Sequence, residues 1–262
     1  MSFARARVPA RMTSALGVLG LAGAVLLVGA LIGATGIGGV LLVPILTFLG
    51  DVAVHLAIAS CNFSYLFTGL VGTALYARKG SISWGMGLWL ALGAMPGAYL
   101  GAFALPHLSS GTLLALIAFL IVLSGINAVV RGEAATPARQ TLGASALVAI
   151  GVAVGIGSAL SGTGGPLVLV PILLWLEMPA IVAIGLSQTV MVPIALFATA
   201  GNLVHGKVDF MLGGALAAIM MIGAFAGAEF SHRVPAGILK RVVAVLLIAV
   251  GALILARLGF GA

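Results

Sequence analysis

Apolar runs of about 20 residues, separated by isolated charged residues, restrict the fold of this chain more than any other feature. A helix of about 20 residues rises about 30 Å, the thickness of the hydrocarbon core of a membrane. Of the 262 residues, 62% are hydrophobic and only 6% are charged, whereas soluble domains carry about a quarter charged residues. The sequence therefore predicts an all-α polytopic membrane protein whose surroundings are the lipid bilayer.

The net charge of +7 comes from Lys and Arg residues that stand singly or in pairs between the apolar runs. This is the usual distribution at the ends of membrane helices. Nucleic-acid binding is not expected, because the chain has no basic stripe with interleaved aromatic residues. The N-terminal run at 14–34 follows Arg5, Arg7 and Arg11, as in a signal peptide. A similar segment recurs at 141–161, so we expect a retained spanning helix.

The chain repeats itself at a fixed spacing. The motif Gly-Ala-Tyr-Leu-Gly-Ala at 97–102 matches Gly-Ala-Phe-Ala-Gly-Ala at 223–228, an offset of 126 residues from Gly97 to Gly223. Other landmarks keep nearly the same offset, among them Val-Pro-Ile-Leu at 43–46 and at 170–173. We therefore expect two tandem transmembrane repeats, 12–132 and 139–259, that form one integral membrane domain.

Each copy divides into five helical pieces, of which the second is short. They cover about 14–35, 39–49, 53–77, 83–105 and 111–130 in the first copy and about 141–160, 165–176, 179–204, 209–230 and 236–257 in the second. Four pieces per copy are long enough to span. The short piece has about 11 or 12 residues and reaches about halfway across. It is predicted to be a broken or re-entrant helix.

The orientation of the two copies depends on that short piece. If it is re-entrant, the copies are parallel and most Lys and Arg residues fall on the cytoplasmic side. If it crosses, five spans per copy make the copies inverted and distribute the positive charge about evenly. The positive-inside rule favours the parallel arrangement. The inverted one stays open, since inverted repeats are common among transporters.

Glycine clusters precede both short pieces, at 36–39 and 162–165. Irregular backbone at membrane depth is tolerated only where protein buries it or where it lines a cavity. Paired helix breaks indicate a substrate site, and the positive N-terminal end of a half-helix suits an anion. Elsewhere, Gly97, Gly101, Gly223 and Gly227 are spaced four apart in uninterrupted helices, which is typical of close helix packing.

Polar side chains follow each short piece and complete the predicted site. Hydroxyl and amide donors could bind an anion without a buried cation, although each one could equally hold two helices together. The predicted substrate-binding residues are Gly36, Gly38, Gly39, Ser60, Asn62, Thr163, Gly164, Gly165, Ser187 and Gln188. Motion of one copy against the other would then provide alternating access.

Other chemistry is sparsely represented. Asp51 and Glu177 occupy equivalent loop positions and are interpreted as interfacial rather than coupling residues. The single Cys61 is interpreted as a packing residue. Metal-ligand spacings and phosphate-binding motifs are missing. We therefore expect no catalytic residues, no metal and no cofactor, and the protein is not expected to be an enzyme.

The repeated pattern of a Gly cluster, Val-Pro-Ile-Leu and Gly-Ala-x-x-Gly-Ala resembles the sulfite exporter TauE/SafE family over nearly the whole chain. The string Ser-Gly-Thr-Gly-Gly-Pro at 161–166 is similar to members with a TGGP signature. The resemblance implies secondary transport of sulfite, an organosulfonate or a related sulfur-containing anion across the bacterial inner membrane. A coupling ion, proton or sodium, and a homo-oligomer are left open. The alternatives are a passive anion channel and a membrane scaffold or assembly factor without a substrate.

Overall fold

The computed structural model describes residues 15–36, 38–130, 142–176 and 178–230. Within these ranges it is helical. The helices are α1 (Ala15–Thr35), α2 (Leu42–Phe48), α3 (Val54–Arg78), α4 (Trp84–Ala104), α5 (Ser110–Val130), α6 (Ala144–Ser161), α7 (Pro166–Trp175), α8 (Ala180–His205) and α9 (Phe210–Phe230). A 3₁₀ turn, Gly38–Leu41, leads into α2, and another, Leu105–His107, follows α4.

The predicted helices agree with these bounds to within three residues. Six of them, α1, α3, α4, α6, α8 and α9, are long and apolar enough to cross a membrane, and α2 and α7 are the predicted short pieces. Large apolar side chains such as Leu19, Leu88 and Ile222 are exposed on the outer surface, as a lipid solvent requires. The predicted piece at 236–257, the repeat boundaries and Glu177 lie outside the described residues.

Two apolar clusters form the core. One joins α1, α2, α3, α5 and α9 with Leu167 of α7 and Met191 and Ala195 of α8, and the other joins α4, α6, α7 and α8. Cys61 is buried in the first cluster, which confirms its packing role. Asp51 lies in the loop between α2 and α3 and is exposed, so its interfacial interpretation agrees with the structure.

Glycines bring two pairs of helices into backbone contact. On α4, Gly93, Gly97 and Gly101 lie against the carbonyl groups of Val148, Val152 and Ile156 of α6. On α9, Gly223 and Gly227 lie against the carbonyl groups of Leu26 and Ala30 of α1. A side chain at any of these glycines would collide with backbone atoms, which confirms the predicted packing role.

The same contacts recur at an offset of 126 residues. The matched pairs are Gly97–Val152 with Gly223–Leu26, Gly101–Ile156 with Gly227–Ala30, and Gly155–Ala94 with Gly29–Met220. Residue numbers rise together along both partners, so α4 runs parallel to α6, and α1 runs parallel to α9. The spacing of these contacts equals the spacing between the two sequence copies.

Contacts at the centre fix the remaining directions. Gly69 of α3 lies against Met191 of α8, whereas Gly72, further along α3, lies against Gln188, so α3 and α8 are antiparallel. On α9, Gly213 lies beside Ser60 and Met220 beside Ser64 of α3, which makes these two helices parallel.

Helices at equivalent positions of the two copies therefore run in opposite directions. Gly87 of α4 lies near Leu186 of α8, and Gly201 lies near Ala102, so α4 runs parallel to α8. The helices α1, α3 and α9 run one way, and α4, α6 and α8 run the other. This arrangement favours the inverted alternative over the parallel one that the charges favour. The physical reason lies between α1 and α3. Because these two helices run in the same direction, residues 36–53, which include α2, must return the chain to the side of the bundle on which α1 begins.

Candidate substrate site

The first helix break begins where α1 ends at Thr35. Gly36 has a φ of +77°, which an L side chain rarely adopts. Its N–H donates to Ile32 O at 2.8 Å, which closes the last turn of α1. The chain then folds back, so that Gly38 lies against Leu31 on α1. Gly38 and Gly39 are buried.

The second break follows Ser161 at the end of α6. Gly162, Gly164 and Gly165 have φ values of +62°, +75° and +117°, so three of four residues need glycine's conformational freedom. Pro166 then starts α7, where its fixed φ and missing N–H suit the first helical position. The hydroxyls of Ser161 and Thr163 are hydrogen-bonded at 2.9 Å.

The two breaks meet around Tyr65 of α3. Its hydroxyl donates to Gly39 O at 2.7 Å. A methyl group placed on Gly164 would lie 2.9 Å from the Tyr65 ring, and one placed on Gly39 would lie 3.1 Å from Thr163 O. Tyr65 is fully buried. It therefore links the first break to the second, a role that the sequence analysis did not predict.

Asn62 and Gln188 stand 126 residues apart and play equivalent roles. Asn62 Nδ2 donates to Ala159 O near the end of α6 at 3.1 Å, and Gln188 Nε2 donates to Ile32 O near the end of α1 at 3.0 Å. Each amide thus ties a central helix to the helix that precedes a break. Within the described part of the chain, Asn62 Oδ1 and Gln188 Oε1 are buried without a hydrogen-bond partner.

These contacts alter the role expected for the two amides. One amide hydrogen of each side chain already donates to a backbone carbonyl. The atoms that remain for a ligand are the amide oxygen, which accepts, and the second amide hydrogen, which donates. These two hydrogen bonds also fix which amide atom of Asn62 and of Gln188 is nitrogen and which is oxygen. Turning either amide over would place its oxygen against a carbonyl oxygen, which cannot donate.

The two predicted serines differ in position. Ser187 lies beside the first break, where a methyl group placed on Gly36 would be 3.4 Å from its Oγ, and its hydroxyl donates to Ile184 O at 2.8 Å. Ser60 precedes Asn62 by two residues, which places the two side chains on nearly opposite sides of α3. Its carbonyl faces Gly213 of α9. Ser60 therefore lies on a different face of α3 from Asn62, and its hydroxyl is buried without a hydrogen-bond partner among the described residues.

Ser158 is a further polar residue that the sequence analysis missed. It is fully buried on α6, and its hydroxyl has no hydrogen-bond partner within the described ranges. A methyl group placed on Gly165 would lie 4.0 Å from its Oγ. It follows Val154 by one helical turn, and its neighbour Ala159 accepts the Asn62 hydrogen bond. A lone serine in an apolar run carries no distinguishing signal in the sequence.

The interior is polar but uncharged. Within the described ranges, none of the Lys, Arg, Asp and Glu residues is buried, whereas Ser, Thr, Asn and Gln side chains are. Neutral hydroxyl and amide groups can exchange hydrogen bonds with a ligand without the large cost of burying an unpaired charge. The arrangement suits the reversible binding of a small polar or anionic molecule.

The sulfite exporter TauE/SafE family model matches residues 21–254, which covers both breaks and all helices of the bundle except the beginning of α1. The chain belongs to this family. Two similar TauE/SafE relatives are the probable membrane transporter proteins YdhB and YunE of Bacillus subtilis (strain 168). YdhB is 28% identical over 82% of this chain and 90% of its own length. YunE is 26% identical over 86% of this chain and 91% of its own length.

A third relative, a probable membrane transporter protein of Xylella fastidiosa (strain 9a5c), is 29% identical over 71% of this chain and 74% of its own length. No solved structure matches the chain significantly. Together with the six apolar spans, membership in the TauE/SafE family makes this chain a multi-pass membrane transporter protein.

Proposed function

We propose that the protein is a secondary transporter of a small anion, namely sulfite, an organosulfonate or a related sulfur-containing anion. The family description supports the sulfur-containing substrate, and the names of the relatives describe transport rather than catalysis. The proposal places the protein in the inner (plasma) membrane, as the family resemblance implies.

The observation that carries this proposal is the meeting of two helix breaks at one buried centre. Tyr65 contacts both Gly39 and Gly164, and the polar residues around it are uncharged. The 10-residue helix α7 begins directly after Gly165. The N-terminal end of a helix carries a partial positive charge, because the peptide dipoles add along the helix axis. An anion is the ligand that such an end attracts.

Opposite helix directions support a carrier mechanism. The central helices α3 and α8 are antiparallel, and each lies beside the break of the other half: Gly36 contacts Ser187, and Gly162 contacts Ile58. Such an arrangement can expose one site to either side by rocking about the breaks. The proposal includes a coupling ion, a proton or sodium, and leaves the number of subunits open.

The proposal is tested with purified protein in proteoliposomes. We expect uptake of labelled sulfite to saturate and to be stimulated by unlabelled sulfite inside the vesicles, since a carrier returns loaded. Large currents in planar bilayers without such countertransport would support the channel alternative instead. The proposal is overturned if verified folded protein moves none of sulfite, thiosulfate and short sulfonates.

A further inference from the structure

Antiparallel helices α3 and α8 face each other with matched stripes of residues. The α3 stripe is Asn62, Tyr65, Gly69, Thr73 and Tyr76, and the α8 stripe 126 residues later is Gln188, Met191, Ala195, Thr199 and Asn202. Gly69 lies against Met191, and Thr73 bonds to Gln188. Continuing this register places Thr199 opposite Asn62, with Asn202 one turn beyond.

The two ends of this interface differ in their hydrogen bonds. At one end, Thr73 Oγ1 donates to Gln188 O at 3.1 Å, and the Tyr76 hydroxyl donates to Gly33 O at 3.4 Å. At the other end, the counterparts are Thr199 and Asn202. Their side chains are 7% and 0% exposed, and among the described residues the Thr199 hydroxyl and both amide atoms of Asn202 have no partner.

Such unpaired groups are unusual in a folded protein. More than nine in ten buried polar groups are hydrogen-bonded, and each exception needs a reason. Helix packing alone does not require the exception, because Thr73 at the equivalent position is satisfied. Asn202 stands where the other half has Tyr76, and its amide can both donate and accept hydrogen bonds. Buried donors and acceptors left unpaired at one end of the interface indicate a place for a ligand.

The chemistry of this place is mixed. Thr199 and Asn202 can donate hydrogen bonds, whereas Asn62 Oδ1, fixed by the bond from Nδ2 to Ala159 O, can only accept. A dianion would face acceptor oxygens with no buried cation to balance them within the described ranges. A singly charged oxyanion that carries its own O–H or N–H donor can both accept from Thr199 and Asn202 and donate to Asn62.

We propose that Asn62, Thr199 and Asn202, here named the α3–α8 polar cluster, bind the transported anion and select a singly charged oxyanion that carries a hydrogen-bond donor. This inference rests on the proposed transport function and narrows its substrate class. Two stable sulfonates provide a matched pair of probes. Ethanesulfonate and 2-hydroxyethanesulfonate are both permanent monoanions, and only the second has a hydroxyl donor.

The experiment measures competition by each sulfonate against labelled sulfite uptake in proteoliposomes. For the wild-type protein, we expect 2-hydroxyethanesulfonate to compete at about a tenfold lower concentration, the effect of one hydrogen bond in a charged complex. Asn62→Leu, which removes the acceptor oxygen that the ligand hydroxyl would reach, should abolish that difference. Thr199→Val, which is nearly isosteric and therefore mild to the fold, should weaken both sulfonates by about tenfold.

The matched control is Thr189→Val on the same helix. The Thr189 hydroxyl donates to Gly185 O within α8 at 2.9 Å, so this variant should keep the wild-type preference. Equal competition by both sulfonates in the wild type would overturn the cluster assignment, and so would an unchanged preference in folded Asn62→Leu together with an unchanged affinity in Thr199→Val. In either case, sulfite uptake leaves the transport proposal standing. If the wild type takes up no sulfite, direct binding of the two sulfonates to the purified protein in detergent tests the cluster. A preference for the hydroxylated sulfonate supports the cluster, and equal binding overturns it.

Discussion

Gly164 shows how closely a single position can be constrained. Its φ of +75° already disfavours any L side chain, and a methyl group there would lie 2.9 Å from the Tyr65 ring. Gly80, in the loop after α3, has a similar φ of +66°, but no atom lies within 4 Å of a methyl group placed there. The two glycines share the backbone requirement and differ only in their surroundings.

This difference predicts that substitution by alanine has a larger effect at Gly164 than at Gly80. Both Gly164→Ala and Gly80→Ala should cost about 1–2 kcal/mol for the left-handed backbone. Gly164→Ala should also displace Tyr65 from Gly39 and reduce labelled sulfite uptake to about a tenth or less, because overpacking of this kind costs a further 1–3 kcal/mol or so. Gly80→Ala should transport at nearly the wild-type rate. Equal uptake by the two folded variants would contradict a role for the Tyr65 contact.

The glycine clusters and the amide pair were predictable from the sequence because they recur at one spacing. Tyr65, Ser158, Thr199 and Asn202 were not. Each is a single tyrosine, hydroxyl or amide residue in an apolar run, where packing is the ordinary interpretation. Their proximity to the breaks arises from the register between helices that are far apart in the sequence. Ser60 is the opposite case: it is near Asn62 in sequence but lies on another face of α3.

At the scale of elements, residues that face each other across the α3–α8 contact compensate for each other's size. Gln188 faces Gly72, where a methyl group would lie 2.5 Å from Oε1. At the equivalent positions the shorter Asn62 is combined with the larger Ala198. One half thus has a long amide and no side chain opposite, and the other has a short amide and a methyl group. The sum of the two volumes is kept roughly constant.

The compensation predicts non-additive stability. Gly72→Ala should destabilise the protein by about 1–3 kcal/mol, because Gln188 would have to leave Ile32 O. Gln188→Asn should relieve that clash, so the double variant should be less destabilised than the two single changes together. Thermal unfolding in detergent measures the effect. Gly214→Ala on α9 is the control, since nothing lies within 4 Å of its added methyl group. Strict additivity would contradict the proposed fit.

At the scale of the whole molecule, the helix directions distinguish the parallel from the inverted arrangement of the two copies. The sequence alone left both arrangements open. Helix bounds follow from apolar length and glycine breaks, which are local signals. Orientation was inferred from a few charges on short loops, and the inverted arrangement spreads those charges about evenly. The contacts that settle direction, such as Gly69 with Met191, join residues far apart in sequence, and nothing local in the sequence encodes them.

The inverted arrangement predicts which loops share a side. Gly206 lies beside Pro106, so the loops after α4 and α8 are on the same side, and the loop after α3 is on the other. In a variant lacking Cys61, Ser110→Cys and Lys207→Cys should react with an impermeant maleimide from one side of the membrane, and Ser81→Cys should react from the opposite side. Labelling of positions 81 and 207 from one side would instead support parallel copies.

The glycine contacts between α1 and α9 and between α4 and α6 have a consequence for assembly. Each contact takes one helix from the first half of the chain and one from the second, so neither half contains the backbone partner of its own opening helix. A half made alone would expose glycine faces with nothing to cover them. Each of these closely packed units is therefore a pair of helices with one member from each half of the chain, so the two halves have to fold together to complete them.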